Sequence, residues 1–236
     1  MNELAGRVIA IAGASGGLGP SVAKRLAAGG ATIAGVDRSQ EHLDALRAEL
    51  DLPDDRFDGQ VVDLLDEHAA RDWAAQLGSR FGGVDALLHL VGGWRGGQPL
   101  AEAPLSDYEW LHDLLVRTVQ HTTRAFHDAL AASDHGRFVL VSSSQAQSPE
   151  GTNASYAAAK AAAESWTLAL ADSFKDTAAT ANIIVVNAIL TPRMREEDPD
   201  KPFRSFTSAE QIAEAIAFVC SDAAVKMNGK RLSLHP

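Results

Sequence analysis

The sequence predicts an α/β fold, a single-domain doubly wound parallel sheet with helices on both faces. Three observations carry the prediction. Short apolar runs alternate with longer stretches of helical spacing along the whole chain, most of those runs are apolar at nearly every position, and no Pro/Ser-rich linker divides the 236 residues. A strand covered on both faces has no solvent side, so it reads as a continuous apolar run rather than an alternating one. In order, the runs at 7–12, 32–36, 60–62, 86–91, 137–142 and 183–189 read as strands. Stretches of helical period at 19–28, 40–50, 67–81, 108–132, 154–174 and 209–220 fill the intervals between and after them. A short strand at 231–234 extends one edge. Such βαβ repetition implies right-handed crossovers and a ligand crevice at the carboxyl ends of the strands.

Composition narrows the function classes. With 46% apolar and 22% charged residues the chain can bury a sizeable core. Its 21 basic and 31 acidic residues give a net charge of −10 with no Lys/Arg block, which argues against a nucleic-acid partner, because neutralising phosphates takes clustered cations. The longest apolar stretches fall well short of the roughly 20 residues of a membrane span, and no basic n-region precedes an apolar h-region. Neither membrane association nor processing is expected. Cys220 is the only cysteine, which excludes an intrachain disulfide and a thiolate cluster and fits a reducing, cytoplasmic location. The eight histidines are scattered, with no His-Glu-x-x-His, so no metal site is expected.

The first candidate site follows the first strand. Gly13-Ala14-Ser15-Gly16-Gly17-Leu18-Gly19 opens directly into a helix, where glycines permit a tight turn and close approach of a pyrophosphate, and the helix start offers unpaired N–H groups. Pro20 fits a first helical turn, where its missing N–H would be unpaired anyway. Asp37 closes the second strand, placed to accept from the ribose hydroxyls of an adenosine and to repel a 2′-phosphate. A strand, glycine turn, helix, strand and acid in this order is the Rossmann-type dinucleotide arrangement. NAD(H) is therefore favoured; NADP(H) stays open because Arg38 could cradle a 2′-phosphate.

The second candidate site is chemical. Tyr156 and Lys160 stand four residues apart on one helix and so share a face. An ammonium there would favour the phenolate and lower the pKa of a phenol, ordinarily about 10. Ser143 ends the fifth strand, where a hydroxyl can hold a substrate oxygen while Tyr156 exchanges its proton. Taken singly, Ser142 to Ser144 are strand-end turn residues, and Tyr156 and Lys160 decorate an Ala-rich packing helix.

Together, Gly13-x-x-x-Gly17-x-Gly19, Asp63-Leu64, Ser143, Tyr156-x-x-x-Lys160 and Asn187 resemble the short-chain dehydrogenase/reductase family over essentially the whole chain. The resemblance implies an NAD(P)-dependent oxidoreductase acting on a small carbonyl or alcohol substrate. It implies Ser143 as the binder of the substrate oxygen, Tyr156 as general acid/base and Lys160 as ribose ligand and modulator of the tyrosine. Asp63 and the Leu64 backbone would meet the adenine; Val91 and Gly92 would border the cofactor. Gln145 and Trp94 join Ser143 and Tyr156 as candidate substrate contacts.

The sequence also departs from the family. His89-Leu90-Val91-Gly92 stands where Asn-Asn-Ala-Gly is usual, and the helix at 108–132 holds no Asn for a proton relay, Leu115 and Arg117 being the nearest positions. Pro-Gly after the sixth strand is replaced by Ile189-Leu190-Thr191-Pro192, so either Thr191 or the strand's own backbone would meet the nicotinamide amide. Gly92-Gly93-Trp94-Arg95-Gly96-Gly97 and the short C-terminus are similar to the dihydropteridine reductase branch, and Trp94 either stacks on a flat substrate or caps the sheet edge. Residues 191–204, charged and Pro-interrupted, read as a substrate lid too polar to pack and broken as a helix by its prolines. The Ala-rich face of the Tyr156 helix, with the helix at 108–132, suggests a homodimer or homotetramer. Retention of Ser143, Tyr156 and Lys160 sets an enzyme ahead of the other class considered, a non-catalytic dinucleotide sensor or scaffold.

Overall fold

A computed structural model describes residues 2–235. Along the chain run β1 (Val8–Ala12), α1 (Gly19–Ala28), β2 (Thr32–Asp37), α2 (Gln40–Leu50), β3 (Phe57–Val61), α3 (Glu67–Phe81), β4 (Ala86–His89) and α4 (Leu105–His112). A π-helical turn, Asp113–Arg117, joins α4 to α5 (Thr118–Ala132), and β5 (Arg137–Ser143), α6 (Ala154–Ser173), β6 (Thr180–Val186) and β7 (Ala188–Leu190) follow. The chain continues with α7 (Pro192–Glu197), β8 (Phe206–Ser208), α8 (Ala209–Cys220) and β9 (Arg231–Ser233).

Seven strands form one parallel sheet in the order β3-β2-β1-β4-β5-β6-β9. The order reverses beside β1, so the loops after β1 and β4 diverge and leave a crevice at their carboxyl ends. Alternation along each strand divides the core in two. Ile9, Ile11, Ile33, Leu88, Val139 and Ile184 pack under α1 and α8 through Val22, Leu26, Ile212 and Ile216. Ala10, Ala34, Leu87, Phe138, Leu140 and Ile183 face α3, α5 and α6 through Trp73, Leu77, Phe126, Leu130 and Leu170. Both faces are dry, which is why the strands read as continuous apolar runs.

Four expectations are corrected. The run at 183–189 is two strands, because Asn187 leaves the main sheet: its side chain donates to Ser205 O at 3.3 Å, and β7 pairs instead with β8 in a separate two-stranded sheet. The helix at 108–132 begins at Leu105 and widens at the π-helical turn, where the consecutive Leu115 and Val116 are both buried. Within 191–204 the prolines do not prevent a helix: Pro192 takes the first turn of α7 and Thr191 caps it, its hydroxyl accepting from Met194 N at 3.2 Å. Nor is that segment wholly unpacked, since Phe203 is buried at 7% exposure, edge-on to Phe206 and beneath the Arg195 guanidinium at 4.8 Å. No described helix is long and apolar enough to cross a membrane, and no described group of His, Cys, Asp or Glu could hold a metal ion.

Candidate active site

The turn after β1 is built for close approach. Gly13 has φ +82°, in the left-handed region, and a Cβ there would lie 3.0 Å from Val91 N; a Cβ on Gly19 would lie 2.1 Å from Ala14 O. Only hydrogen fits at either position. Gly13 N and Ala14 N donate to Val36 O at 3.0 and 3.1 Å, which sets the end of β2, and hence Asp37, beside the turn. α1 starts at Gly19 with Pro20 in its first turn and no side-chain cap, so its N-terminal N–H groups face the crevice unclaimed by a side chain. The Ser15 hydroxyl oxygen is buried with no partner among the described residues. An orphaned hydroxyl inside a glycine cradle at a helix start fits a phosphate-bearing dinucleotide, whose oxygens would supply the missing partner.

Around this turn the structure gathers several further expected residues. Val62 N donates to Asp37 O at 3.1 Å, which brings the start of the Asp63 turn beside Asp37; Asp63 itself accepts from Leu65 N at 3.0 Å, and Leu64 is buried. The Asp37 carboxylate accepts from Arg38 N at 2.7 Å, and the Arg38 side chain is exposed with no partner among the described residues. Leu90 N donates to Ala12 O at 2.9 Å, holding Val91 and Gly92 over the turn. On the opposite side, Thr191 Cγ2 lies 3.0 Å from where a Cβ on Gly17 would sit. The Thr191 hydroxyl is engaged in capping α7, so the methyl, not the hydroxyl, faces Gly17.

The chemical residues converge from β5 and α6. Ser143 is buried at the end of β5, its hydroxyl accepting from Gln145 N at 3.3 Å. Lys160 Nζ donates to Val141 O at 2.9 Å and lies 5.9 Å from the centre of the Tyr156 ring. Burial pushes the Tyr156 phenol above its ordinary pKa, and the Ser143 hydroxyl, hydrogen-bonded to it, acts in the other direction. This corrects the expectation of a lowered phenol for the protein by itself: burial prevails at Tyr156, and Lys160 directs one of its N–H groups to Val141 O. Lys160 itself is pulled down to about 8 by burial, with Glu164 opposing.

Other expected contacts sit further out. Gln145 is turned into the following loop, its Oε1 accepting from Glu150 N at 2.8 Å. Trp94 is 59% exposed and fixed by its Nε1 donating to Asn153 Oδ1 at 3.1 Å, just before α6, so it stands at the rim rather than in the crevice. Ser144 Oγ donates to Asn187 Oδ1 at 3.1 Å, tying the turn after Ser143 to the point where β6 ends.

Two features escaped sequence reasoning, the surroundings of the already singled-out His89 and Leu115, and Glu164. His89 is buried, bridging Thr118 Oγ1 at 3.1 Å and Thr122 Oγ1 at 3.2 Å, and burial holds its pKa at about 3, so the ring is neutral. Leu115, nearest the family's relay Asn, lies in an apolar cluster with Leu111, Val116 and Ala159 against Tyr156. Glu164 is the other; its signal was a carboxylate four residues beyond Lys160 in a helix otherwise Ala-rich.

A family model described as short chain dehydrogenase matches residues 7–202. The chain is 27% identical to the 3-oxoacyl-acyl-carrier-protein reductase of Escherichia coli, over 98% of this chain and 96% of that one. It is 26% identical to the acetoacetyl-CoA reductase of Allochromatium vinosum over 97% of each. Among solved structures, a short-chain dehydrogenase/reductase from Brucella melitensis superposes with TM-score 0.85 at 28% identity, covering 98% and 96% of the two chains. These likenesses do not favour the dihydropteridine-reductase-like alternative. The chain belongs to the short chain dehydrogenase family, whose members bind NAD(P)(H), and it is an oxidoreductase.

Proposed function

We propose that this chain moves a hydride between nicotinamide and a small carbonyl or alcohol compound, with Tyr156 as the proton-transfer group. The observation that carries the reading is the meeting of Ser143, Tyr156 and Lys160 at the same sheet edge as a glycine turn holding an orphaned Ser15 hydroxyl. The activities by which the relatives are named, reduction of an oxoacyl group and of acetoacetyl-CoA, support a carbonyl substrate.

The residues suited to the cofactor are Gly13, Ser15, Gly16, Gly17, Leu18 and Gly19 for its phosphates, Asp37 for the adenosine ribose, and Asp63 and Leu64 for the adenine. Val91, Gly92 and Thr191 border the remainder. Asp37, at the end of β2 beside the turn, favours NAD(H), because its carboxylate repels a 2′-phosphate. When bound, the cofactor supplies or takes the hydride. Ser143 then holds the substrate oxygen through its hydroxyl, and Tyr156 Oη gives that oxygen a proton as a carbonyl becomes an alcohol. Burial keeps the tyrosine a phenol near neutral pH, so the protein alone presents the acid that reduction requires. Lys160 holds a cationic charge beneath that centre, suited to a ribose hydroxyl once its bond to Val141 O is shared. Leu115 sets an apolar side chain at the position nearest the family's relay Asn, so Tyr156 regains its proton by a route other than that one.

The test is a panel of small carbonyl compounds followed by NADH and NADPH absorbance, with Tyr156→Phe beside the parent. The variant should bind cofactor and lose turnover by about 10²-fold or more, the scale of general acid–base catalysis. Turnover equal to the parent's refutes the mechanism.

A further inference from the structure

Glu164 is a carboxylate at 1% exposure on a helix whose other buried residues, Lys160 and Thr167 apart, are Ala and Leu. It stands one turn beyond Lys160 and two beyond Tyr156, so the three share a face. Its Oε2 accepts from Arg231 Nε at 2.6 Å and from Gln147 Nε2 at 3.4 Å, while its Oε1 is buried with no partner among the described residues. Arg231 opens β9, and Gln147 caps the turn that starts at Ser143. As a purely structural device a half-satisfied buried carboxylate is a poor one, since an apolar side chain of equal volume is often neutral or better there.

We propose that Glu164 is a positioning residue for the reaction proposed above, its carboxylate, fixed by Arg231 and Gln147, holding Lys160 in the ammonium form beneath Tyr156. The inference rests on that reading for its catalytic meaning, though not for its electrostatics. Among the described residues, the titratable groups that act on or lie beside Lys160 are His89 from β4 and Tyr156 and Glu164 from α6, and Arg231 from β9 is bonded to Glu164. β5 contributes the Val141 carbonyl, and α4 with the π-helical turn meets α6 through Leu111, Leu115 and Val116. His89 is neutral, so Glu164 is the opposite charge that acts on the lysine, against the pull of burial. Removing it must therefore lower the pH at which Lys160 loses its proton.

The chain has six lysines, few enough to follow individually by carbon-13 NMR of labelled lysine side chains in the full-length protein. The Lys160 signal is identified by its loss in Lys160→Met. In Glu164→Gln the Lys160 midpoint should fall by about one unit, a tenfold loss of ammonium at alkaline pH, and the alkaline limb of the kcat profile should move with it. Glu164→Asp, which keeps the charge, should restore most of both. A lower Tm with the midpoint unmoved assigns Glu164 to structure and overturns the proposal. Should Glu164→Gln not fold, Glu164→Met, of similar volume and with no buried polar atom, is titrated instead, and failure of both to fold overturns the proposal equally. If the parent turns over no carbonyl compound, the proposed function fails while the NMR midpoint still decides whether Glu164 acts on Lys160.

Discussion

Replacing Lys160 by Met should make the protein's stability depend on pH in a way fixed by one buried ammonium. Burial brings that group from 10.5 to about 8. The unfolded chain therefore binds its proton more tightly than the folded one, and the lysine destabilises the fold by about 3 kcal/mol at pH 7. The cost is full below pH 8, shrinks as pH rises from about 8 toward 10.5, and vanishes above it. Met removes this pH-dependent cost and leaves Val141 O without its donor, a loss of about 1–3 kcal/mol that does not vary with pH. The two nearly cancel at pH 7, so a single measurement there says little. Between pH 7 and 9.5 the parent gains about 2 kcal/mol relative to the variant, because the common titrations cancel in the difference. Urea unfolding of both proteins at the two pH values reads this directly. A stability difference that is the same at both would mean that Lys160 titrates near its ordinary value and is solvated in solution, and the dry site inferred around Tyr156 would be wrong.

Three other perturbations test the rest of the site. Ser15→Ala removes a buried hydroxyl without a partner, so Tm should hold or rise slightly while NADH affinity, read by fluorescence titration, falls about fivefold to tenfold, the worth of one hydrogen bond. Asp37→Ala should narrow the preference for NADH over NADPH, with the exposed Arg38 free to meet a phosphate; tighter NADPH binding in the parent would refute the role given to Asp37. Residues 191–204 should gain hydrogen-exchange protection when cofactor and substrate are both present, because Thr191, the cap of α7, lies against Gly17 while the outer face of α7 is exposed; equal protection with and without ligands removes the lid role.

The fold was legible because its strands obey one rule. β1, β4, β5 and β6 are buried on both faces, so burial leaves the same mark at every residue, and the intervening helices could be read from their own apolar period. Elements that depart from the rule were read less well. β3 is an edge strand whose last residues are half-exposed, and only its end at 60–62 stood out from Phe57-Asp58-Gly59. Asn187 interrupts an apolar run by taking up a hydrogen bond from elsewhere in the chain, and α7 forms because a proline that ends helices inside them starts one at the first turn. Both are decided by one residue's partner rather than by periodicity.

The candidate site divides along the same line. Gly13, Gly19, Ser143, Tyr156 and Lys160 could be placed because spacing alone dictates their relation: a turn that admits no Cβ, a strand end, two positions one helical turn apart. The net direction of the Tyr156 shift could not. Sequence proximity argued that an ammonium beside a phenol lowers its pKa, yet Lys160 donates a hydrogen bond to Val141 O and burial governs Tyr156. Desolvation depends on everything packed around a group, here Leu111, Leu115 and Val116 from a helix 40 or more residues upstream of Tyr156. Glu164 shows the converse. Its spacing from Lys160 was visible, but a Glu on a helix is ordinarily a solvated one, and only the arrival of β9, carrying Arg231 from the far end of the chain, turns that position into the interior of the site. Charges in this fold acquire their chemistry from what the sheet brings over them, so residue spacing located the groups proposed to react while their protonation states had to come from packing.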